Sequence, residues 1–287
     1  MLVLILGASG MIGSTMARVV SENTHYKVHG IGRRDITQQD LKPSITYHQC
    51  EDLTHEQSLK SWLNELNPDV IINCLGLTKH YKEGNEPLHA IRANALFPHM
   101  LAKHALDIKA RVIHVSTDCV FDGVDGFYDE SFLPNAKDVY GRSKALGELD
   151  NLSDVTLRTS TIGHELGSHV GLLEWFLSQK KCVVFERAIF SGLPTVEFAK
   201  VIRDIVIPNH SLVGLFNVGA KPISKANLLK IISEVYEHKV HMSFDDSFVI
   251  DRSLNSGRFQ ALTGYSPPSW PILITKMFND YRRSFCV

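Results

Sequence analysis

The stretch LVLILGASGMIGSTMARVVSE, residues 2–22, constrains the fold more than any other segment of the chain. Five unbroken apolar residues, 2–6, read as a strand buried on both faces, the kind that sits inside a parallel sheet. Gly7, Gly10 and Gly13 follow at three-residue intervals, and Met11, Ile12, Met16, Val19 and Val20 then fall on one helical stripe. In a strand–turn–helix unit such glycines serve three ends: a tight turn, close approach of backbone to a pyrophosphate, and close packing of helix on strand. The helix start adds unpaired N–H groups and the positive end of a dipole, both suited to an anion. The segment therefore predicts a dinucleotide site at the first turn.

The following 140 or so residues repeat the alternation. Strand-like runs at 26–32, 44–49, 69–76, 111–117 and 155–160 are separated by helical patterns over 54–66, 88–106 and from Val139 onward. This predicts an α/β, Rossmann-type doubly wound parallel sheet with helices on both faces. Beyond Ile162 the rhythm loosens. Helices are expected at 170–179, 195–206 and 224–237, with strand pieces at 182–185 and 214–218 and a turn-rich GYSPPSWP before a last helix. We expect an NADP-binding domain over 1–162 and a smaller mixed α/β C-terminal substrate lobe over 163–287, some of whose segments return to the first domain.

Composition excludes several classes of function. Lys plus Arg number 30 against 31 Asp plus Glu, so there is no basic excess of the kind that nucleic acid or an anionic membrane surface attracts. Five cysteines without a C-x-x-C pair suit a reducing compartment, and the short apolar start suits a strand better than a leader or a membrane span. A cytoplasmic protein is expected. The fourteen histidines show no H-E-x-x-H, and pairs such as His99 and His104 lack metal-ligand spacing, so no metal is expected.

The end of the second strand selects the dinucleotide. An acidic residue there binds a ribose hydroxyl pair; this chain instead reads GRRD at 32–35. A guanidinium grips a 2′-phosphate bidentately, which favours NADP (NADPH) over NAD, with Arg33 the better placed of the two arginines.

One further pair draws notice. In VYGRSKALGE, residues 139–148, Tyr140 precedes Lys144 by one helical turn, placing a phenol and an ammonium on one face. With the glycine loop and HVSTDCVFDG (114–123) in the same chain, the sequence resembles the extended short-chain dehydrogenases/reductases, and within them the dTDP-4-dehydrorhamnose reductase-like subgroup. The resemblance spans essentially the whole chain and is strongest over 1–160. It implies roles residue by residue. Thr117, Tyr140 and Lys144 match the catalytic set, with Thr117 also on the substrate carbonyl. Gly7, Gly10, Met11, Ile12 and Gly13 match the pyrophosphate loop, and Asp52 and Leu53 the adenine contact. Cys74, Leu75 and Gly76 match the loop against the cofactor, and Asn94 the asparagine of the long helix. Lys79, Asp118, Val120 and Phe121 fall where the substrate passes.

The implied reaction is NADPH-dependent reduction of the 4-keto group of a nucleotide-activated 6-deoxy sugar. Tyr140 would supply the proton; its ordinary pKa of about 10 would be lowered by the Lys144 ammonium. Two positions depart from the rhamnose-type pattern: Thr161 stands where a tryptophan is usual and Phe190 where a glutamine is, so a different sugar or stereochemistry stays open. Thr15 replaces the glutamate linked to a metal-bridged dimer, so neither that metal nor that dimer is implied, and a homodimer of another kind stays open. Two other readings remain: a nucleotide-sugar epimerase, against which Arg33 weighs, and an NADP-binding regulatory subunit with little turnover.

Overall fold

The computed structural model describes residues 1–36, 44–78, 82–167 and 170–285. Lys79 lies outside the described residues.

Seven parallel strands form the central sheet. Six are consecutive in the first half: β1 (Leu2–Leu6), β2 (Lys27–Gly32), β3 (Ile45–Gln49), β4 (Val70–Asn73), β5 (Arg111–Thr117) and β6 (Val155–Thr159). Their spatial order is β3-β2-β1-β4-β5-β6, and a seventh strand, Gly214–Asn217, pairs with β6 at the edge. The order reverses between β1 and β4, so the carboxyl ends of those strands open a crevice there.

The unbroken apolar run of β1 has a direct structural cause. Val3 and Ile5 face one core, with Met16, Val19 and Val20 of helix α1 (Met11–Val20). Leu4 and Leu6 face a second, with Leu59 and Leu63 of helix α2 (Glu56–Leu66) and Phe97 and Leu101 of a long helix. Both faces of the strand are dry, so neither parity tolerates a polar residue.

The long helix runs over 87–107 and is not uniformly α. Ile91–Leu96 forms a π segment between α-helical Pro87–Ala90 and Phe97–Asp107. Asn94 sits inside that segment, and π turns tend to accompany functional positions.

The chain beyond Ile162 forms a mixed α/β lobe. Lys181–Phe185 pairs in parallel with His241–Asp245, and Ala188–Phe190 lies between Ile223–Ser224 and Ile250–Asp251. Helix Lys225–Val235 packs against these strands, and helix Gly257–Thr263 packs on the seventh strand of the central sheet. Two elements from this half support the sheet: the seventh strand, and the Thr195–Val201 helix, which packs on α1. The last helix, Trp270–Phe285, is joined to α1 by a buried two-pronged ion pair between Arg18 and Asp280. Among the described residues no helix is long and apolar enough to cross a membrane.

Candidate active site

A cleft of about 770 Å³ lies over the carboxyl ends of β1, β4 and β5, closed on its far side by the second lobe. Gly10, Met11, Ile12 and Gly13 form one end of it. Gly7 turns the chain with φ +77°, a left-handed conformation that favours glycine. A Cβ on Gly13 would stand 2.2 Å from the Gly7 carbonyl oxygen, so helix and strand approach this closely only because Gly13 has none. Helix α1 has no side-chain cap and no acidic residue in its first turn, leaving its leading N–H groups to an incoming anion. These residues fit a dinucleotide diphosphate.

Of the two arginines after β2, the structure brings Arg34 to the cleft and leaves Arg33 exposed and off its wall. The expectation favoured Arg33; the correction follows from side-chain direction. Both arginines are exposed and lie past the strand end, but it is the Arg34 guanidinium that folds back to donate to the Ser9 carbonyl in the glycine loop. Tyr47 of β3 reaches the same place, its hydroxyl donating to the Arg34 carbonyl and lying within hydrogen-bond reach of the Ser9 side chain. Gly32 makes this crossing possible, since a Cβ there would meet the Tyr47 hydroxyl at 2.4 Å. Asp52 lies after β3, accepts from the Thr54 N–H (2.8 Å) and pairs with Arg92 at 3.3 Å, away from the cleft wall. Leu53 is buried in the second core.

The loop after β4 supplies Cys74 and Gly76 to the cleft, while Leu75 packs against the second core. Burial pushes the Cys74 thiol up to about 12, so it is not a nucleophile. Asn94 ties this loop to the helix that carries Tyr140 and Lys144. Its Oδ1 accepts from the Leu77 N–H (2.8 Å), and its Nδ2 donates to the Leu77 carbonyl (2.9 Å) and to Ser143 Oγ (3.1 Å).

The helix Val139–Leu146 carries Tyr140 and Lys144. Asp138 caps it by accepting from the Gly141 N–H at 2.7 Å. Tyr140 is half-buried and lines the cleft beside Thr117. Thr117, at the end of β5, is fixed by the Cys119 N–H donating to its Oγ1 at 3.1 Å. Lys144 is buried behind them, its Nζ donating to the Val115 carbonyl at 2.8 Å.

The electrostatics differ from the sequence expectation at one point. Tyr140 is not made more acidic: burial pushes its phenol above the ordinary value, and nearby Cys119, Asp118 and Asp138 act in the same direction, against the Thr117 hydrogen bond. Burial instead lowers Lys144 to about 8, opposed by Glu148 and Cys74. Desolvation is the largest influence on both groups. At neutral pH Tyr140 is therefore a phenol, a donor rather than a base.

Asp118 lines the cleft, and burial raises its carboxyl despite the opposing charges of Arg252 and Lys225. Val120 and Phe121 are not on the cleft wall. Both are fully buried with Tyr128 and Leu254, and Phe121 stacks on Tyr128 at 4.1 Å, so the placement of these two in the substrate path is corrected. Cys119 takes the cleft position between them and Asp118. Thr161 and Phe190, the two departures noted in the sequence, both line the cleft. The second lobe's wall adds Trp175, Phe248, Ile250, Arg252 and Lys225, none of which sequence reasoning singled out. They come from separate loops and short elements with no shared spacing, so no local pattern marks them.

Residues 1–171 match the family model described as RmlD substrate binding domain. A curated dTDP-4-dehydrorhamnose reductase of Mycolicibacterium smegmatis is 34% identical over 148 residues, 51% of this chain and 40% of that protein. The methionine adenosyltransferase 2 subunit beta of Xenopus laevis is 31% identical over 145 residues, 50% of this chain and 41% of its own. The chain thus spans about two fifths of the length of these curated relatives. Among solved structures, a hypothetical dTDP-4-dehydrorhamnose reductase from Sulfolobus tokodaii superposes with a TM-score of 0.79 at 25% identity, covering 94% of this chain and 98% of that one.

Proposed function

Because the chain belongs to the RmlD substrate-binding-domain family, we propose that it reduces the 4-keto group of a nucleotide-activated 6-deoxy sugar with NADPH, in the cytoplasm. The observation that carries this reading is that Thr117 and Tyr140 line one cleft that begins at the glycine loop.

NADPH, when bound, supplies the hydride. Gly10, Met11, Ile12 and Gly13 present the helix start to its diphosphate, and Arg34 lies where an adenosine 2′-phosphate would be gripped. Thr117 and Tyr140 reach the cleft from a strand end and a helix, so a ketone oxygen bound between them would meet two hydroxyl groups. As negative charge develops on that oxygen, Tyr140 donates its proton. A phenol that burial keeps protonated suits this direction of reaction better than oxidation, which needs a base. Lys225 and Arg252 on the opposite wall offer positive charge to the sugar nucleotide's phosphates, and Trp175 and Phe248 offer rings to its base.

The test is a panel of nucleotide-4-keto-6-deoxy sugars incubated with NADPH, with absorbance at the nicotinamide band followed and product identified by NMR. Stoichiometric NADPH loss with one member supports the reductase. Conversion without net loss indicates an epimerase. Tight NADPH binding with no turnover on any member favours the other reading, a cofactor-binding regulatory subunit, which the likeness to methionine adenosyltransferase 2 subunit beta supports.

A further inference from the structure

Behind the catalytic lysine lies a run of directed hydrogen bonds that the proposed reaction does not use. The Leu75 N–H donates to Asn73 Oδ1 at 3.1 Å. That bond fixes which end of the Asn73 amide faces which way, so its Nδ2 lies 3.0 Å from His114 Nδ1 and must donate to it. A neutral His114 whose Nδ1 accepts carries its hydrogen on Nε2. His114 Nε2 is 3.4 Å from Lys144 Nζ. Asn73 and His114 are both fully buried, so no water relieves a mismatch.

Each alternative places two donors face to face. Turning the amide sets its NH₂ against the Leu75 N–H, and moving the imidazole hydrogen to Nδ1 sets it against the Asn73 NH₂. Keeping both and charging Lys144 sets an ammonium against the imidazole N–H. Only with Lys144 as a neutral amine is every group satisfied: the lone pair accepts from His114 while an amine hydrogen goes to the Val115 carbonyl.

We propose that His114 is a positioning residue for the reductase, presenting an N–H donor to Lys144 so that the lysine gives up its proton readily at the site. This rests on the reading of Lys144 as catalytic. The other groups facing Lys144 are Glu148, two residues past the end of its helix, and Cys74, from the loop after β4, both of which act to keep it charged; His99, on the long helix, bears on His114. Burial holds His114 well below its ordinary pKa, so it stays neutral while the lysine titrates.

The test reads the lysine directly in the protein without substrate, by NMR of ¹³C-labelled lysine, with Lys144→Arg to assign the signal. Asn73→Asp is nearly isosteric, but its carboxylate accepts from both Leu75 and His114, which moves the imidazole hydrogen to Nδ1 and turns Nε2 into an acceptor for the ammonium. The new carboxylate also attracts the lysine by charge alone, so the same change is made in a His114→Phe background, or His114→Leu where the phenyl variant does not fold. We expect Lys144 to titrate near 8 in the wild type. Asn73→Asp should raise it by at least about 1 unit more with His114 present than without. Equal rises in both backgrounds, or a wild-type Lys144 that titrates at its ordinary value, overturns the proposal. Absence of turnover on every sugar leaves this readout intact, so failure of the reductase reading is distinguishable from failure of this one.

Discussion

A Cβ added to Gly141 would stand 2.2 Å from the carbonyl oxygen of Cys119, closer than any real pair of such atoms. The catalytic helix therefore rests directly on the strand-end loop that carries Thr117, and a single missing methyl group sets the spacing between the two hydroxyl-bearing elements. At an exposed helical position, glycine to alanine stabilises by roughly 1 kcal/mol. Here the sign reverses, since overpacking costs about 1–3 kcal/mol. Gly141→Ala should lower the urea midpoint and reduce turnover together.

Tyr140→Phe removes the proton donor and leaves the ring on the cleft floor. Loss of a positioned acid lowers rate by roughly 10²–10⁴ fold. Stopped-flow or steady-state NADPH oxidation should show that loss, while NADPH binding by fluorescence titration stays within about twofold of wild type.

The two arginines after β2 should separate cleanly. Arg34 folds over the glycine loop at the cleft, and Arg33 points to solvent. Arg34→Ala should weaken NADPH at least about tenfold more than NADH, as expected for one charge-assisted phosphate contact. Arg33→Ala should affect both cofactors alike. Isothermal titration of the four combinations decides between them.

Lys144 makes stability depend on pH in a defined window. Its folded value, about 8, lies below the ordinary 10.5, so between those values the unfolded chain holds the extra proton and stability rises with pH. At pH 7 both states are charged, and the buried ammonium, 5% exposed, disfavours the fold by up to about 3 kcal/mol. Lys144→Met should accordingly be more stable than wild type at pH 7. That advantage should shrink as pH rises from 8 toward 10, as followed by urea unfolding across the range. A site that sacrifices stability for chemistry behaves this way.

Much of the sheet was legible because its constraints are local. Leu2–Leu6 is apolar at every position since alternate residues meet two different cores, and the glycine spacing marks the turn that follows. Thr117, Tyr140 and Lys144 could be named from their motifs; the first two line one cleft, and the third is buried with its Nζ on the Val115 carbonyl. Arg33 and Arg34 are adjacent and alike, and only the direction of each side chain at the strand end separates them. Val120 and Phe121 sit beside Asp118 and Cys119 in sequence, yet the 3-10 turn at Asp118–Val120 sends them inward, onto Tyr128. The burial that raises the Tyr140 phenol is not legible either, because spacing reveals neighbouring charges but not desolvation, which depends on everything packed around the group.

The seventh strand, Gly214–Asn217, reaches the sheet only after the chain has passed through much of the second lobe. While the polypeptide is being made, β6 therefore emerges with one row of amides and carbonyls unpaired until some sixty more residues have followed it, the separation between Val155 and Gly214 in their register. A ribosome stalled within that interval would release a species whose open border invites pairing with another nascent chain.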